Sequence, residues 1–391
     1  KAACLWRFCA DGSEPLSLLG MLASLLVLIL AAVLGALFTP LAIRLAWSIG
    51  FLDRPTTALK THRQPVAYLG GVAVAAAFGL SLLAVKFSLH PTQGYGPWAG
   101  GLERGRGVYA IGLGGCIALG LGLLDDRKAL GPGAKFLGQI LGALVLVACG
   151  LRVRFVTSDW LGAALTVLWV VTVTNALNFV DIMDGLAASV AAASALAFWA
   201  FAANGARWDD ALAAAALAGA CLGFLPYNWK PARVYMGDAG SHFLGFTLSA
   251  ISLNLRYSHQ NELAVFSPLV ILALPLFDLA LMIVIRTRKG IPPWKGSPDH
   301  VPLRLRALGW EVPRVVLTLS LGTLSLGGLV YAVSFAGLHN ALLLWAGLAV
   351  AAVMLAGWFI SIRMPEAAPK AAAHGPAKSG SLPPSRKKNR A

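Results

Sequence analysis

Residues 174–187, TNALNFVDIMDGLA, place two asparagines and two aspartates inside a chain that is strongly apolar on both sides of them. Asn175, Asn178, Asp181 and Asp184 follow one another at intervals of three residues. On an α-helix that spacing drifts slowly around one face, so we expect the four side chains to form one polar stripe. Such a stripe would be costly against lipid, so we expect it to face protein, water or a ligand.

The composition of the 391 residues is that of a membrane protein. Hydrophobic residues make up 58% of the chain, charged residues 13%, and the mean hydropathy is +0.72. These values predict an all-α fold, a polytopic integral membrane helix bundle. The five cysteines are scattered and form no CxxC pair, so the sequence indicates neither a disulfide framework nor a zinc site.

Eleven apolar segments are long enough to be predicted as transmembrane helices. They lie at about residues 17–41, 68–88, 108–124, 136–151, 160–178, 183–203, 210–226, 239–255, 264–285, 314–336 and 340–362. Residues 21–362 are therefore predicted to form one membrane-embedded domain. Residues 1–20 are interpreted as an N-terminal extension or a start-site artefact, and residues 363–391 as a basic, disordered cytoplasmic tail.

The charged residues predict the orientation of the chain. Most of the 32 Lys and Arg lie in the loops after odd-numbered spans and in the tail, so those loops and the carboxyl terminus are predicted to be cytoplasmic and the amino terminus outside. The net charge of +15 is explained by basic cytoplasmic loops and a basic tail that face anionic lipid. No nucleic-acid partner is therefore predicted. Seven acidic residues fall on the same inner side, which predicts one cytoplasmic cleft: Asp53, Asp125, Asp126, Asp181, Asp184, Asp238 and Asp299.

Two acidic motifs are candidates for chemistry. Asp125 and Asp126 close the third span, where adjacent like charges need a cation or a basic partner unless they form a solvated turn. Lys135 and Gln139 follow on one helical face. Asp238, within VYMGDAGS at residues 234–241, starts a predicted helix where carboxylates and phosphates are both favoured; its alternative role is that of an N-cap only.

Three further features are candidates for function, and the first two also have a purely structural interpretation. Asp278 lies inside the predicted ninth span, where it is either a functional carboxylate or the structural partner of a buried amide. The basic loop at residues 286–306 binds phosphate or only follows the enrichment of cytoplasmic loops in basic residues. Lys60 and His62 lie in a loop near the inner face, where they are candidates for phosphate contact.

Taken in order, these motifs resemble those of the polyprenyl-phosphate N-acetylhexosamine-1-phosphate transferases. The resemblance covers about residues 21–310, and eleven spans look more like the branch that uses UDP-N-acetylglucosamine than the ten-span branch that makes lipid I of peptidoglycan. It is carried by Asp53, Pro55, Lys60, His62, Pro65, Gly70-Gly71, Asp125-Asp126, Lys135, Gln139, the 175–187 stretch, Asn228, Pro231-Ala232, residues 235–241, Asp278 and Arg286.

The resemblance implies a Mg²⁺-dependent transfer, with Mn²⁺ as an alternative metal. A sugar-1-phosphate, GlcNAc-1-phosphate by preference, would pass from a UDP-N-acetylhexosamine to undecaprenyl or another polyprenyl phosphate, with release of UMP. This would be the first membrane step of a lipid-linked glycan, in cell wall or lipopolysaccharide synthesis at the bacterial inner membrane. A homodimer is also a family expectation, and phospho-MurNAc-pentapeptide transfer is the alternative reaction.

The resemblance also implies roles for individual residues. Asp125, Asp126 and Asp238 would be catalytic, and Asp238 with Asn178 would hold the metal. The ring of Tyr235 would stack on uracil, where the family usually has Phe. The nucleotide-sugar-binding set would be Lys60, Asn175, Asn178, Asp181, Asp184, Tyr235 and His300, and the phosphate-binding set would be Lys135, Arg286 and Arg304.

One motif departs from the family. Where the family commonly has an H-x-H-H cluster, this chain has His300-Val301-Pro302-Leu303, so only the first histidine matches. The departure leaves the sugar specificity open and raises a weakened, binding-only member as an alternative. A secondary transporter with Asp181, Asp184 and Asp278 on an ion path is the alternative from a different class, and it would require inverted repeats, which the sequence does not show by eye.

Overall fold

The computed structural model describes residues 14–54, 64–89, 101–292 and 297–364. Two short strands, β1 (Leu52–Asp53) and β2 (Val66–Ala67), pair antiparallel, and a 3₁₀-helix covers Glu262–Phe266. The α-helices of the described ranges are α1 (Glu14–Ile49), α2 (Gly70–Leu89), α3 (Gly101–Lys128), α4 (Pro132–Ala148), α5 (Asp159–Val180), α6 (Leu186–Asn204), α7 (Trp208–Asn228), α8 (Gly237–Asn254), α9 (Ser267–Ile271), α10 (Ala273–Arg288), α11 (Val301–Ala307), α12 (Val312–Val333) and α13 (Leu338–Ser361).

The architecture confirms the predicted all-α membrane bundle. Seven of the described helices are long and apolar enough to cross a bilayer: α1, α3, α5, α6, α7, α12 and α13. The segment Glu262–Ile271 meets α10 at a 73° bend, and the two together would make an eighth span. Helices also lie at the remaining predicted positions, but α2 and α4 are short, so a count of eleven spans stays a prediction.

Helix α8 is the centre of the bundle. It packs against α2, α3, α5, α6 and α7, and nearly all of its residues are buried. Because five helices surround it, its first turn is held in a fixed place relative to all of them. The chain reaches that turn through residues 234–236, where Val234 bridges to Ala67 of β2.

Two glycines let α1 and α7 pack in direct backbone contact. A Cβ on Gly219 would lie 2.1 Å from the carbonyl oxygen of Leu28, and one on Gly223 would lie 2.0 Å from that of Ala32. The two glycines are four residues apart, which is the small-xxx-small pattern of close helix pairs in membranes. This contact fixes α7, whose far end leads to the segment before α8.

The predicted polar stripe is not a single helix. Helix α5 ends at Val180, Asp181 follows as its C-cap, and α6 begins only at Leu186. Gly185 has a φ of +79°, a backbone conformation that interrupts a right-handed helix. The four polar side chains therefore divide between the end of α5 and a turn. The predicted boundary after residue 20 falls inside α1, and residues 365–391 of the predicted tail lie outside the described residues.

The α1–α7 contact predicts a stability defect at Gly223. Gly223→Ala adds one Cβ against a backbone carbonyl that cannot rotate away, so we expect the free energy of unfolding to fall by about 1–3 kcal/mol. The thermal midpoint of the purified protein in detergent measures this. Gly79→Ala on α2, where a Cβ would meet nothing within 4 Å, is the matched control. Equal midpoints for the two variants would contradict the packing argument.

Candidate active site

The carboxylate of Asp126 caps the first turn of α8. Its Oδ1 accepts a hydrogen bond from the backbone N–H of Asp238 at 2.8 Å, and its Oδ2 accepts one from that of Ala239 at 3.0 Å. Gly237 makes this approach feasible, because its φ is +73° and a Cβ there would lie 2.7 Å from the Asp126 carboxylate. A carboxylate at a helix N-terminus satisfies unpaired amides and meets the positive end of the helix dipole.

Lys135 joins the two other catalytic candidates. Its ammonium forms an ion pair with Asp125 and donates a hydrogen bond of 3.0 Å to Oδ2 of Asp238. Asp125 is buried and also accepts a 2.6 Å hydrogen bond from the backbone N–H of Leu130. The acidic pair is therefore no solvated turn, and its basic partner is the lysine at the start of α4.

Asn178 binds the other oxygen of Asp238. Its Nδ2 donates to Oδ1 of Asp238 at 2.8 Å and to Oγ of Ser241 at 2.9 Å. Both carboxylate oxygens of Asp238 thus point to side chains of other helices, so Asp238 is not merely an N-cap. The Oδ1 atom of Asn178 is the one that could bind a metal.

Asn175 lies one helical turn away from Asn178 and has a different set of partners. Its Nδ2 donates to Oε1 of Gln139 at 2.7 Å and to the carbonyl of Val171 at 2.8 Å. Gln139 returns a 3.3 Å hydrogen bond to Oδ1 of Asn175. This amide pair joins α4 to α5 beside the site, and the nucleotide-binding role of Asn175 stays a prediction.

The turn after α5 is fastened to the segment before α8. Oδ2 of Asp184 accepts a hydrogen bond from the backbone N–H of Ala232 at 3.2 Å. Asn228 accepts from the backbone N–H of Gly185 at 3.0 Å and donates to the carbonyl of Val234 at 2.8 Å. Residues from the two motifs therefore share one wall of the cleft.

Tyr235 lies on that wall beside a second tyrosine. Its backbone pairs with Ala67 and Gly70, and its ring meets that of Tyr68 edge to face at a centroid distance of 6.4 Å. Burial raises the pKa of Tyr235 to about 12, with added effects from Asp184, Asp53 and Asp181. An aromatic ring is thus held at the mouth of the cleft as a neutral phenol.

The carboxylates lie close enough to act on one another. Desolvation raises the pKa of Asp181 to about 8, and the charges of Asp238, Asp126 and Asp184 add to that shift. Burial likewise raises the pKa of Tyr68 well above its usual value, with contributions from several of the same aspartates. The cleft is therefore strongly acidic, as the distribution of the aspartates predicts.

Asp299 and Arg304 lie outside this acidic group. Arg304 is buried and donates to Oδ1 of Asp299 at 2.8 Å and to the carbonyl oxygens of Phe359 and Ile362 at 2.6 and 3.0 Å. Lys289 holds the second oxygen of Asp299 at 2.7 Å. This geometry corrects the phosphate-binding interpretation of Arg304, because the guanidinium instead fastens α11 to the end of α13.

Arg286 is also buried. Its Nε donates to Oγ of Ser297 at 3.2 Å, and its guanidinium lies 5.4 Å from the ring centroid of Phe179. Phe179 also contacts His300, whose ring centroid lies 5.9 Å away at an angle of 78°. Asp278 binds Nδ1 of His300 at 2.7 Å and accepts from the backbone N–H of Val301 at 2.6 Å. His300 therefore lies next to the end of α5, in contact with the residue that follows Asn178.

The donor atoms suit Mg²⁺ that is partly coordinated by substrate. Within the described ranges no three His, Cys, Asp or Glu side chains converge as a complete metal site. Mg²⁺, however, is usually bound by one or two carboxylates together with substrate phosphates. The oxygens of Asp125, Asp238 and Asn178 provide such a set, and the ammonium of Lys135 already lies between the two carboxylates.

Three residues of the site had no role assigned from the sequence. Ser241 and Asn228 lie within the recognised motifs, so their polar character next to Asp238 and Pro231 was a usable signal. Tyr68 had no such signal, because its position depends on the pairing of β1 and β2. Lys60, predicted to bind the nucleotide sugar, lies outside the described residues.

The raised pKa of Asp181 predicts a pH-dependent stability gain. The folded pKa of about 8 lies above the ordinary value of 3.8, so ionisation destabilises the fold as the pH rises through that interval. Asp181→Asn removes this penalty. We expect its thermal midpoint without ligands to exceed that of the wild type at pH 8.5, with a smaller difference at pH 5. A difference that does not change with pH would refute the electrostatic explanation.

Comparison with known proteins agrees with this site. Residues 108–256, which contain most of α3 and all of α4 to α8, match the model of glycosyl transferase family 4. A probable undecaprenyl-phosphate N-acetylglucosaminyl 1-phosphate transferase of Bacillus subtilis is 31% identical over 294 residues, covering 73% of this chain and 78% of the relative. A decaprenyl-phosphate N-acetylglucosaminephosphotransferase of Mycobacterium tuberculosis is 35% identical over 251 residues, covering 56% of this chain and 62% of the relative.

A third relative has a different name. A phospho-N-acetylmuramoyl-pentapeptide-transferase of Desulforudis audaxviator is 31% identical over 343 residues, covering 79% of this chain and 98% of the relative. All three relatives transfer a phosphorylated sugar by name, and the family match at residues 108–256 includes Asp125, Asp126, Lys135, Asn178 and Asp238. The chain therefore belongs to the polyprenyl-phosphate N-acetylhexosamine-1-phosphate transferases, the glycosyl-1-phosphate transferases of glycosyl transferase family 4.

Proposed function

We propose that this membrane enzyme transfers GlcNAc-1-phosphate from UDP-GlcNAc to a polyprenyl phosphate and releases UMP. The observation that carries the proposal is the cluster at the start of α8, where Lys135 and Asn178 hold the two oxygens of Asp238. Asp125 and Asp238 share one lysine, so among the described contacts of this group the carboxylates outnumber the ammonium groups, and a divalent ion would help two anionic substrates to bind there. The names of the relatives support GlcNAc-1-phosphate as the transferred group.

The proposed reaction is a single displacement at phosphorus. An oxygen of the lipid phosphate attacks the phosphorus that bears the sugar, and the bond from that phosphorus to the bridging oxygen of UMP breaks. The products are a polyprenyl diphosphate sugar and UMP. The attacking phosphate is already largely ionised at neutral pH, since its second pKa is about 6, so no strong base is needed.

The residues of the cleft contribute mainly position and charge. Asp238, Asn178 and Asp125 would hold Mg²⁺, which would offset the repulsion between the substrates and stabilise charge on the transferred phosphate. Lys135 supplies a fixed positive charge between the two carboxylates. Asp126 keeps the helix start in place, so its effect on the reaction is exerted through Asp238. Positioning of this kind can supply much of the barrier reduction.

Transfer of phospho-MurNAc-pentapeptide is the second candidate. The observation that favours it is the match to nearly the whole length of the D. audaxviator transferase. Against it stand the two relatives whose names specify N-acetylglucosamine, whereas Pro302 and Leu303 leave the sugar specificity open. Membership of a transferase family removes the reason to prefer a secondary transporter.

The cellular setting follows from the same proposal. The substrates of this reaction would place the acidic cleft on the cytoplasmic side of the bacterial inner membrane, in agreement with the basic loops. The lipid would reach the site from the bilayer beside α10. A homodimer and an alternative use of Mn²⁺ stay predictions.

Removal of the charge on Asp238 is predicted to abolish the reaction. Asp238→Asn keeps the shape of the side chain but loses the attraction for Lys135 and a metal, so we expect UMP release from UDP-GlcNAc to fall by about 10³-fold or more. Asp159→Asn is the control, because Asp159 is exposed and pairs only with Arg152 among the described residues. Full activity of the Asp238 variant, with Mg²⁺ and polyprenyl phosphate present, would refute the assigned role.

Direct displacement predicts that no phosphoenzyme forms. Incubation with donor labelled in the sugar phosphate, followed by acid quench in the absence of lipid acceptor, should leave no label on the protein. A stable label that disappears in Asp238→Asn would instead establish a covalent aspartyl-phosphate and a two-step reaction.

A further inference from the structure

Asp278 is a fully buried carboxylate in the middle of an apolar helix. Its exposed fraction is 0%, and both of its oxygens face nitrogen atoms of the segment that begins α11. Oδ1 accepts from the backbone N–H of Val301, and Oδ2 lies against Nδ1 of His300. A buried carboxylate is costly unless it is hydrogen-bonded, and these two contacts satisfy both of its oxygens.

The geometry fixes which nitrogen of His300 is available. A carboxylate oxygen accepts hydrogen bonds, so Nδ1 of the imidazole is the donor in the pair. Nε2 has no hydrogen-bond partner within the part of the chain that the structure describes. The imidazole is therefore held by one nitrogen and presents the other.

The plane of the ring is fixed as well. The ring of His300 meets that of Phe179 at 78°, and the guanidinium of Arg286 lies over Phe179. Phe179 directly follows Asn178, which binds Asp238. The ring contacts therefore connect His300 with the helix end that carries Asn178.

A fixed orientation of His300 matters more in this chain than in relatives that have the complete histidine cluster. Pro302 and Leu303 occupy the places where other members of the family commonly have histidines, so His300 is the position of this cluster that keeps an imidazole. One ligand makes fewer contacts than three, and its contribution depends more strongly on its orientation.

We propose that Asp278 is a positioning residue that orients His300, so that Nε2 meets a phosphate oxygen of the UDP-sugar. The inference rests on the proposed function and adds to it a residue that touches no substrate. The alternative is a purely structural role, in which Asp278 only caps α11 by accepting from the N–H of Val301. The two roles can be separated because each uses a different oxygen of the carboxylate.

Steady-state kinetics of the full-length protein distinguish the two roles. With polyprenyl phosphate saturating, Asp278→Asn should raise the KM for the UDP-sugar by about tenfold or more with a smaller change in kcat, since a charge-assisted contact is lost. His300→Ala should do the same, and the double variant should be no worse than His300→Ala alone. An equal effect of Asp278→Asn in the wild-type and His300→Ala backgrounds would overturn the proposal.

Val301→Pro is the matched control for the capping role. It removes the N–H that binds Oδ1 and leaves the imidazole contact intact. Proline suits this place, because it is the first residue of α11 and the preceding His300 already has extended backbone angles. We expect an unchanged KM. A KM raised as much as in Asp278→Asn would assign the effect to the cap and contradict the proposal.

A spectroscopic measurement makes the test independent of turnover. In protein labelled with ¹⁵N-histidine, the His300 signal, assigned by its loss in His300→Ala, should show a protonated Nδ1. Asp278→Asn should change that signal. An unprotonated Nδ1 in the wild type would overturn the positioning role whatever the reaction is. Conversely, absence of UMP release from every UDP-sugar, with the expected spectrum, would refute the proposed function and leave the Asp278–His300 contact established.

Discussion

The structure depends on the contact between the carboxylate of Asp126 and the first amides of α8. The first amides of a helix have no acceptors within that helix and need them from elsewhere. Asp126 meets that need with both of its oxygens. Since α8 is enclosed by five helices, this one contact also sets where Asp238 lies relative to α3, α4 and α5.

The rest of the site follows from that placement. Asp238 receives Lys135 on one oxygen and Asn178 on the other, and Asp125 completes the group by pairing with the same lysine. The charges of Asp238, Asp126 and Asp184 act on Asp181 in the same cleft. Under the proposed function, such an acidic cleft would suit a divalent cation that is held partly by the donor phosphates, and the protein would supply fixed positions more than reactive groups.

Local sequence predicted those features that depend on helix periodicity and on chemical type. The apolar runs located the helices, and the charged side chains at their ends indicated Asp125, Lys135 and Asp238 as neighbours. The polar stripe from Asn175 to Asp184 was wrong as a single helix, because α5 ends at Val180 and Asp181 and Asp184 lie in the turn before α6. That turn is held by a hydrogen bond from the N–H of Gly185 to Asn228, which lies far away in the sequence.

The burial of individual charged side chains is the second property that the sequence pattern could not predict. The basic loop after α10 carries enough arginines for phosphate binding, but Arg304 uses its donors on Asp299 and on two carbonyls near the end of α13. Asp278 had two equal interpretations, and only its distance to His300 indicates how it could serve the site. Tyr68 is positioned beside the cleft by the two-residue pairing of β1 with β2, which no local sequence pattern predicts.

The most direct test of the account is amide hydrogen exchange at the start of α8. Peptides that cover residues 234–245 should exchange faster in Asp126→Ala than in the wild type, because the acceptor for the N–H groups of Asp238 and Ala239 is lost. Asp159→Ala, a change at an exposed surface pair, should leave those peptides as they are. Equal protection of residues 234–245 in the wild type and in Asp126→Ala would contradict the central claim that this carboxylate holds the start of α8 in place.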